Sequence, residues 1–490
     1  MVATPSPDSA NPGIPSGFTY LGQFVDHDLT MDNTAAALGS EVTIEELLQG
    51  RSPALDLDSL YGLGPKDPGD GRYYEPDGAH LRIGKTTAVQ GDPATNQDID
   101  GYDLPRIGQG ATKNARRLAD IPDRRNDENL VVAQTHAAFI RFHNRVVDEL
   151  AITGTPSAAL FERARETVTK HYQWMLRTDF LPRVVSPDIV DDVFTNGRRF
   201  FEVSPGYDQH SDREIKAGDT PTMPIEFAVA AYRLGHSMVR DIYEWNRIFN
   251  STARIKATLP LLFQFTGTSG TLSPDGTPDD PDSGSLERLP SNWIADLRRL
   301  YDFGEAGRQD LTVPADKFNL ARRIDTLLAN PLKNLPMGTF SGQGAAPNAI
   351  RRNLAFRNLT RAVMLNLASG QQMAQLFGAT PLTADQILTG NGGAVLDALS
   401  QAQRDQLTGN TPLWFYILRE AESNDGKLGA VGGRIVAEVF HRAIEGSRIS
   451  IQRHPTWRPT LGPNGTTFRM VDLLLFAFDG KLDLLNPLGD

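Results

Sequence analysis

The sequence predicts a mainly α-helical protein with long irregular loops, and three observations favour this class. Apolar residues recur at helical spacing in several long segments, strand-like alternation is sparse, and no fixed-period repeat is present. The chain has 490 residues, of which 40% are hydrophobic and 22% are charged. This is an ordinary globular composition, and the length is sufficient for a large core.

Helices and loops can be located approximately from apolar spacing and from turn residues. Three helices are predicted, at 127–152 with a stop at Gly154, from Thr155-Pro156-Ser157 to about Leu181, and at 224–248 after Pro224. Two stretches rich in small and polar residues are predicted to be irregular, a mobile acidic surface loop at 266–290 and a connection at 337–348.

Composition excludes several classes of function. A net charge of -11 argues against a nucleic-acid partner, which usually requires a basic surface. The absence of cysteine excludes disulfides, thiolate catalysis and thiolate-ligated haem. No apolar run approaches transmembrane length, and the N-terminus lacks the parts of a secretion signal. We therefore expect a soluble protein whose compartment is undecided, and secretion would require a signal that this chain lacks.

The segment from Gly22 to Asp28 places an amide, two carboxylates and an imidazole close together. If the segment is helical, Gln23, Asp26 and His27 share one face at i, i+3 and i+4, while Asp28 points away from them. Taken alone, the segment is better explained by a histidine that is hydrogen-bonded in a core helix beside solvated aspartates.

Three further polar clusters have ordinary explanations when each is taken alone. The acids that follow Arg125 begin a helix, where the helix dipole favours them. In the segment from Tyr232 to His236, Gly235 removes the side chain beside the imidazole. Glycine costs about 1 kcal/mol inside a helix, so a flat or bulky group is expected to approach there. The segment 357–361 could be an exposed face of any helix.

Together and in this order, the motifs resemble the animal-type haem peroxidases of the peroxidase–cyclooxygenase superfamily, and most closely their bacterial branch. Two further markers are Asp56-Leu57-Asp58-Ser59-Leu60-Tyr61-Gly62 and His136 followed by Arg141-Phe142-His143-Asn144-Arg145. The resemblance implies a large single-domain haem peroxidase fold. Residues 1–11 would be a flexible N-terminal segment, and 12–490 would be the catalytic domain.

The resemblance implies a proximal side for haem b. His236 would be the iron ligand, as histidine is in peroxidases generally. Asn358 would accept the other ring N–H of that histidine and make it more electron-donating. Arg233 and Arg361 would bind the haem propionates.

On the distal side, the resemblance makes His27 the group that takes a proton from hydrogen peroxide and returns it to the departing oxygen. Arg125 would stabilise the charge that develops during O–O cleavage, and Gln23 would hold a water or a halide. Asp26 and Glu128 match the two carboxylates that form ester bonds to haem methyl groups in many family members.

The resemblance also implies a calcium site, because a hard cation requires several oxygen ligands. Its ligands would be the carboxylates of Asp28, Asp56 and Asp58, the hydroxyl and carbonyl of Ser52, and the carbonyl of Ala54. The alternative is a solvated turn with two exposed aspartates. Since Asp28 follows the distal histidine directly, the ion would brace the distal helix.

The implied function is oxidation of small donors by hydrogen peroxide. Asn129 stands where chlorinating mammalian members have a methionine that links to a haem vinyl group. An amide cannot form that link, so we expect poor oxidation of chloride. Iodide, thiocyanate and phenols are the expected donors, and bromide is the borderline case.

Two alternative functions stay open. A fatty-acid dioxygenase of the same superfamily needs a radical-forming tyrosine, which in cyclooxygenases lies three residues before the proximal histidine. That position is Arg233 here, and Tyr232 is one residue off. A peroxidase-like adhesion protein with incidental activity is the other alternative, and the intact His27, Arg125 and His236 argue against it.

Five histidines match no motif and are predicted to be surface or packing residues: His80, His171, His210, His441 and His454. His136 and His143 belong to the markers above and are predicted to be helix-packing groups and not ligands.

Overall fold

Helices make up most of the secondary structure and the strands are short, as the sequence predicts. The computed structural model describes residues 1, 10–34, 36–111, 113–203, 218–264, 266, 287–335 and 349–490. The predicted connection at 337–348, His210 and most of the predicted loop at 266–290 lie outside these residues. No helix among the described residues is long and apolar enough to cross a membrane.

The helices are distributed along the whole chain. They are α1 Gly17–Leu29, α2 Asp58–Tyr61, α3 Lys113–Arg117, α4 Leu130–Ile152, α5 Ser157–Met175, α6 Leu181–Val184, α7 Pro187–Asn196, α8 Gly235–Met238, α9 Leu259–Gln264, α10 Leu354–Met364, α11 Gly370–Phe377, α12 Ala384–Thr389, α13 Gln401–Gly409, α14 Leu413–Glu422, α15 Gly432–Gly446, α16 Met470–Ala477 and α17 Leu482–Leu485.

The described strands form antiparallel pairs that tie distant parts of the chain together. The pairs are β1 Ala10–Pro15 with β6 Leu320–Arg322, β2 Gly84–Lys85 with β3 Asp100–Asp103, and β4 Ile242–Tyr243 with β5 Ala257–Thr258. The carbonyl of Met1 accepts a hydrogen bond from the Leu328 amide at 2.8 Å. The proposed flexible segment 1–11 includes residues 2–9, which are outside the description.

An aromatic cluster fixes α1 against the two longest helices, α4 and α5. Phe24 of α1 stacks on Phe139 of α4 with ring centroids 4.6 Å apart. Tyr172 of α5 meets both rings edge-on, at 6.4 and 5.7 Å. Edge-to-face and offset-stacked rings add about 0.5–1.5 kcal/mol each beyond the burial of their area. The helix that carries the predicted distal residues is therefore held rigidly by the core.

Gly17, the first residue of α1, permits a close contact with Tyr301. A Cβ at Gly17 would lie 2.3 Å from the ring of Tyr301, which no side chain could tolerate. The Tyr301 hydroxyl donates to the Gly17 carbonyl at 3.0 Å. Glycine is therefore required for α1 to begin at this position.

The structure confirms two of the predicted helices and shortens the third. Helix α4 matches 127–152, and α5 continues through a π-turn at 176–180 into α6. The prediction of a helix to residue 248 is wrong beyond Met238, where α8 ends. The side-chain oxygen of Asn246 accepts the backbone N–H groups of Ile248 and Phe249 at 2.9 and 2.8 Å. This local turn competes with helix formation.

Candidate active site

The polar side chains of α1 point in two different directions, as the sequence predicts. Gln23, Asp26 and His27 contact residues from the segments around Arg125 and Arg233, whereas Asp28 contacts the segment before α2. Both His27 and Asp28 are buried. The helical spacing therefore sends one set of side chains to one site and the remaining carboxylate to another.

The predicted distal pair lies together. Nη2 of Arg125 donates to the backbone carbonyl of His27 at 3.0 Å, and Nε and Nη2 of the same guanidinium bind the carboxylate of Asp123 at 3.0 and 2.6 Å. Burial lowers the pKa of His27 to about 4, and the charge of Arg125 acts in the same direction. His27 is therefore neutral at neutral pH and able to accept a proton.

The amides of Asn129 and Gln23 are hydrogen-bonded in series to the carboxylate of Glu128, which is predicted to form an ester with the haem. Asn129 Nδ2 donates to Gln23 Oε1 at 2.9 Å, and Gln23 Nε2 donates to Glu128 Oε2 at 2.9 Å. That carboxylate oxygen lies 4.0 Å from Nε2 of His27. Burial raises the pKa of Glu128 to about 7. Asn129 also caps α4, since its Oδ1 accepts the Val132 amide at 3.0 Å.

On the other side, the predicted proximal pair is in contact. Nδ2 of Asn358 lies 2.8 Å from Nδ1 of His236. Burial lowers the pKa of His236 to about 3, with a further contribution from Arg233. A neutral histidine can donate a lone pair to a metal only from the ring nitrogen without a proton. In the structure the amide nitrogen of Asn358 faces Nδ1, whereas the predicted role, in which Asn358 accepts the ring N–H, needs the amide oxygen there.

Asp26 connects the two sides. Its carboxylate binds Nη1 of Arg233 at 3.2 Å and accepts the hydroxyl of Thr30 at 3.0 Å. Burial raises its pKa, but the charges of Arg233 and Arg125 and the hydrogen bond from Thr30 act in the opposite direction, and the pKa lies below its ordinary range. Asp26 is therefore an ionised carboxylate between α1 and the turn that leads into α8.

The residues between α1 and α8 fit a haem. A Cβ at Gly235 would meet no atom within 4 Å, so the space beside His236 can receive a flat group. Arg361 lies close enough to Arg233 that burial and then this second cation lower its pKa. Its nearest ion-pair partner is Asp32, at 3.6 Å. Two neighbouring guanidinium groups are suited to the two propionates of haem.

The predicted calcium residues are neighbours in the structure. Asp28 accepts the Leu57 and Ser59 amides at 3.2 and 3.3 Å, and Asp56 accepts the Ser447 hydroxyl. Burial, then Asp58 and Asp56, raises the pKa of Asp28 well above its ordinary value. Burial, then Asp56, raises the pKa of Asp58 to about 6. The cluster therefore carries excess negative charge that a cation would offset.

These groups are not gathered around one point. Within the described parts of the chain, no group of three or more His, Asp or Glu side chains is arranged to hold a metal ion. The Ala54 carbonyl, a predicted ligand, accepts the Asp56 amide at 2.9 Å. Ser52 is half-buried in the same loop. Leu57 adopts a left-handed conformation with φ 59°, which aims its amide at Asp28.

Most of the remaining histidines have the structural roles that the sequence predicts. His143 is buried between the Tyr61 hydroxyl at 3.0 Å and the Ala79 carbonyl at 2.8 Å. His171 is held by backbone groups, and His454 is exposed. His136 differs because it contacts Asn126, which in turn contacts His27. The sequence reasoning missed both of these contacts.

Known proteins resemble this chain in sequence. The sequence model of the animal haem peroxidase family matches residues 26–276. A peroxidase-like protein of Margaritifera margaritifera is 26% identical in an alignment 281 positions long that covers 46% of this chain and 32% of that protein. The chain thus matches about a third of the length of this relative.

Two solved structures have a similar fold. Peroxidase A of Dictyostelium discoideum matches with a TM-score of 0.53 and 15% identity, over 95% of this chain and 85% of that chain. The fatty acid alpha-dioxygenase of Oryza sativa matches with a TM-score of 0.52 and 13% identity, over 99% of this chain and 76% of that chain. The placement in a bacterial branch stays a prediction. Since the family match covers half of the sequence, the chain belongs to the animal haem peroxidase family.

Proposed function

We propose that this protein is a haem peroxidase that consumes hydrogen peroxide and oxidises small donors. The observation that carries the proposal is the pair of neutral histidines, His27 and His236, on helices α1 and α8, which pack against each other. Asp26 interacts electrostatically with both. Such a pair offers a ligand on one side of a flat cofactor and a base on the other.

Each side chain has a distinct task in this proposal. Haem b would be held by His236 and would supply the iron redox chemistry that reduces hydrogen peroxide. Nε2 of His27 takes the proton from the near oxygen of hydrogen peroxide and returns it to the far oxygen, which leaves as water. Arg125 stays charged and stabilises negative charge on the far oxygen. Gln23 positions a water or a halide beside His27.

Covalent attachment of the haem belongs to the same proposal. The carboxylates of Asp26 and Glu128 are half-buried and border the site, which suits ester bonds to two haem methyl groups. A calcium ion at the Asp28, Asp56 and Asp58 cluster would hold the C-terminal end of α1. Residues 12–490 would form this catalytic domain, preceded by a flexible segment at 1–11.

The proposed donors follow from Asn129. Its amide is occupied with Gln23 and with the cap of α4, and it has no sulfur to link to a haem vinyl group. Iodide, thiocyanate and phenols are therefore the proposed donors, bromide is the borderline case, and chloride should be a poor one.

The experiment is an absorption spectrum of the purified protein before and after acid-acetone extraction, followed by peroxide-dependent oxidation of iodide. We expect bound haem that resists extraction, and activity well above that of free haem. His236→Ala should lose most of the haem. His454→Ala, which changes an exposed histidine, is the matched control and should keep it. A purified protein without haem, or turnover no better than free haem, contradicts the proposal and favours the adhesion alternative.

A fatty-acid dioxygenase is the second candidate, and Tyr232 is the observation that favours it. Its hydroxyl is buried without a hydrogen-bond partner among the described residues. Its ring stacks on Phe227 with centroids 4.7 Å apart. Oxygen uptake with polyunsaturated fatty acids that is abolished by Tyr232→Phe would support this candidate. Equal uptake by Tyr232→Phe and by the unchanged protein would exclude Tyr232 as the radical site.

A further inference from the structure

Asn126 lies between two histidines that are far apart in the sequence. Its Oδ1 is 2.8 Å from Nδ1 of His27, and its Nδ2 is 3.0 Å from Nδ1 of His136. All three side chains are buried, with exposed fractions of 0% for Asn126, 4% for His27 and 1% for His136. One amide therefore joins the proposed distal base to a second imidazole.

Asn126 is held in place by its backbone. It lies in a 3-10 turn, Arg124–Asp127, whose cap is Asp123. The Asp123 carboxylate accepts the Arg125 amide at 3.0 Å, and the Asp123 carbonyl accepts the Asn126 amide at 3.0 Å. On the far side, the ring of His136 packs edge-on against Phe24 at 5.8 Å. The amide therefore has little freedom to leave His27.

Both rings are buried, and each presents Nδ1 to one end of the Asn126 amide. A neutral imidazole carries one proton, and the hydrogen bond at one nitrogen decides which nitrogen carries it. An amide oxygen can only accept, whereas an amide nitrogen can only donate. With Oδ1 at His27 and Nδ2 at His136, the proton of His27 is on Nδ1, and Nδ1 of His136 has none.

We infer that Asn126 is a positioning residue that keeps the proton of His27 on Nδ1, so that Nε2 faces the site as a free base. The inference rests on the proposed function, which needs Nε2 to take a proton from peroxide. His136 completes the arrangement, since it accepts the amide N–H of Asn126 and thereby holds Oδ1 toward His27. Without that acceptor the amide could turn over and leave His27 with the other tautomer.

The test measures the tautomer directly. Histidine labelled with ¹⁵N is observed by NMR in the haem-loaded protein, in its diamagnetic ferrous carbonyl form, and His27 is assigned by comparison with His27→Ala. We expect the one-bond ¹⁵N–¹H coupling of His27 at Nδ1. Asn126→Leu should abolish this preference and slow the reaction with hydrogen peroxide by about 10-fold or more, since it removes part of the effect of a positioned base. The haem content should stay unchanged.

Two variants separate positioning from packing. Asn126→Asp keeps an acceptor at His27, so it should retain the Nδ1 proton of His27, restore most of the peroxide rate and move the His136 proton to Nδ1. Asn144→Leu removes an amide on α4 that binds both backbone groups of Leu81 at 2.8 and 2.9 Å. It should leave the His27 tautomer and the peroxide rate unchanged.

Three outcomes would overturn the inference. They are a proton on Nε2 of His27 in the unchanged protein, an unaltered tautomer in Asn126→Leu, and an equal change in Asn144→Leu. If Asn126→Leu does not fold, the unchanged protein and Asn126→Asp still decide between the two tautomers. A correct tautomer in a protein that does not consume peroxide would refute the proposed function and leave the positioning role of Asn126 intact.

Discussion

Removal of the proposed calcium ion should make stability fall as the pH rises from 4 to 6, and the reason lies in the carboxylates of Asp28, Asp56 and Asp58. In the metal-free protein the pKa of Asp58 is raised from 3.8 to about 6, by burial and by Asp56. One pKa unit corresponds to 1.36 kcal/mol, so a shift of about two units costs about 3 kcal/mol once the group is ionised. This loss of stability is absent when the pH is below the pKa of Asp58 in the unfolded chain, and it reaches its full value above about pH 6.

The sign follows from proton binding. Between pH 4 and 6 the folded metal-free protein binds more protons at Asp58 than the unfolded chain does, so its free energy of unfolding falls as the pH rises. Asp28 contributes in the same direction, because its pKa is also raised. Bound calcium would favour the ionised carboxylates and lower their pKa values below those of the unfolded chain. Stability should then no longer fall between pH 4 and 6, and the stability gained from these carboxylates should be lost only as the pH drops below about 4, the unfolded pKa.

The assay is urea unfolding from pH 4 to 7, with chelator and with excess calcium. The difference between the free energies of unfolding measured with chelator and with calcium cancels the contributions of titratable groups outside the site, including Glu128. In the presence of chelator, the free energy of unfolding should fall with rising pH by about 3 kcal/mol less in Asp58→Asn than in the unchanged protein. Asp385→Asn, a change at an exposed residue of α12, should leave this fall unchanged. Curves that coincide with and without calcium would refute the site, and a fall that persists in Asp58→Asn would refute the assignment to this carboxylate.

Three further predictions concern His27, Asn358 and Asn129. His27→Ala should slow the reaction with hydrogen peroxide by at least about 10²-fold in stopped-flow traces while the haem content stays normal, and unchanged traces would exclude it as the base. Asn358→Leu should keep the haem but raise the iron reduction potential, measured by spectroelectrochemical titration, because the proximal imidazole loses its partner. Asn129→Ala should cost about 1 kcal/mol of stability in urea by uncapping α4, and an unchanged midpoint would contradict the cap.

Periodicity and local spacing predicted the parts of the site that depend on a single helix. The i, i+3, i+4 pattern put Gln23, Asp26 and His27 on one face and Asp28 on the other, and the structure has this division. Helix α4 likewise follows its apolar spacing, and its start is set by the amide of Asn129. These features need only the geometry of a helix and a cap, both of which are written in neighbouring residues.

Features that depend on contacts between distant segments could not be predicted in this way. The helix expected to reach residue 248 ends at Met238, because the chain then becomes extended and β4 pairs with the distant β5, after which Asn246 forms a local turn. The contact between Asn126 and His27 joins two elements 99 residues apart. The preference of Ser, Thr, Asp and Asn for helix starts could have suggested the turn that contains Asn126. It could not have indicated that His27 is the partner of Asn126.

The site is built so that its groups differ in charge before any cofactor or substrate reacts. Burial holds His27 and His236 neutral and raises the pKa of Glu128 to about 7, whereas Arg125 and Asp26 stay charged because each has an oppositely charged neighbour. Groups whose pKa values are pushed apart by their surroundings can serve separate acid, base and electrostatic roles at one pH. The division of labour in the proposed reaction therefore depends as much on the residues that bury and pair these groups as on the groups themselves.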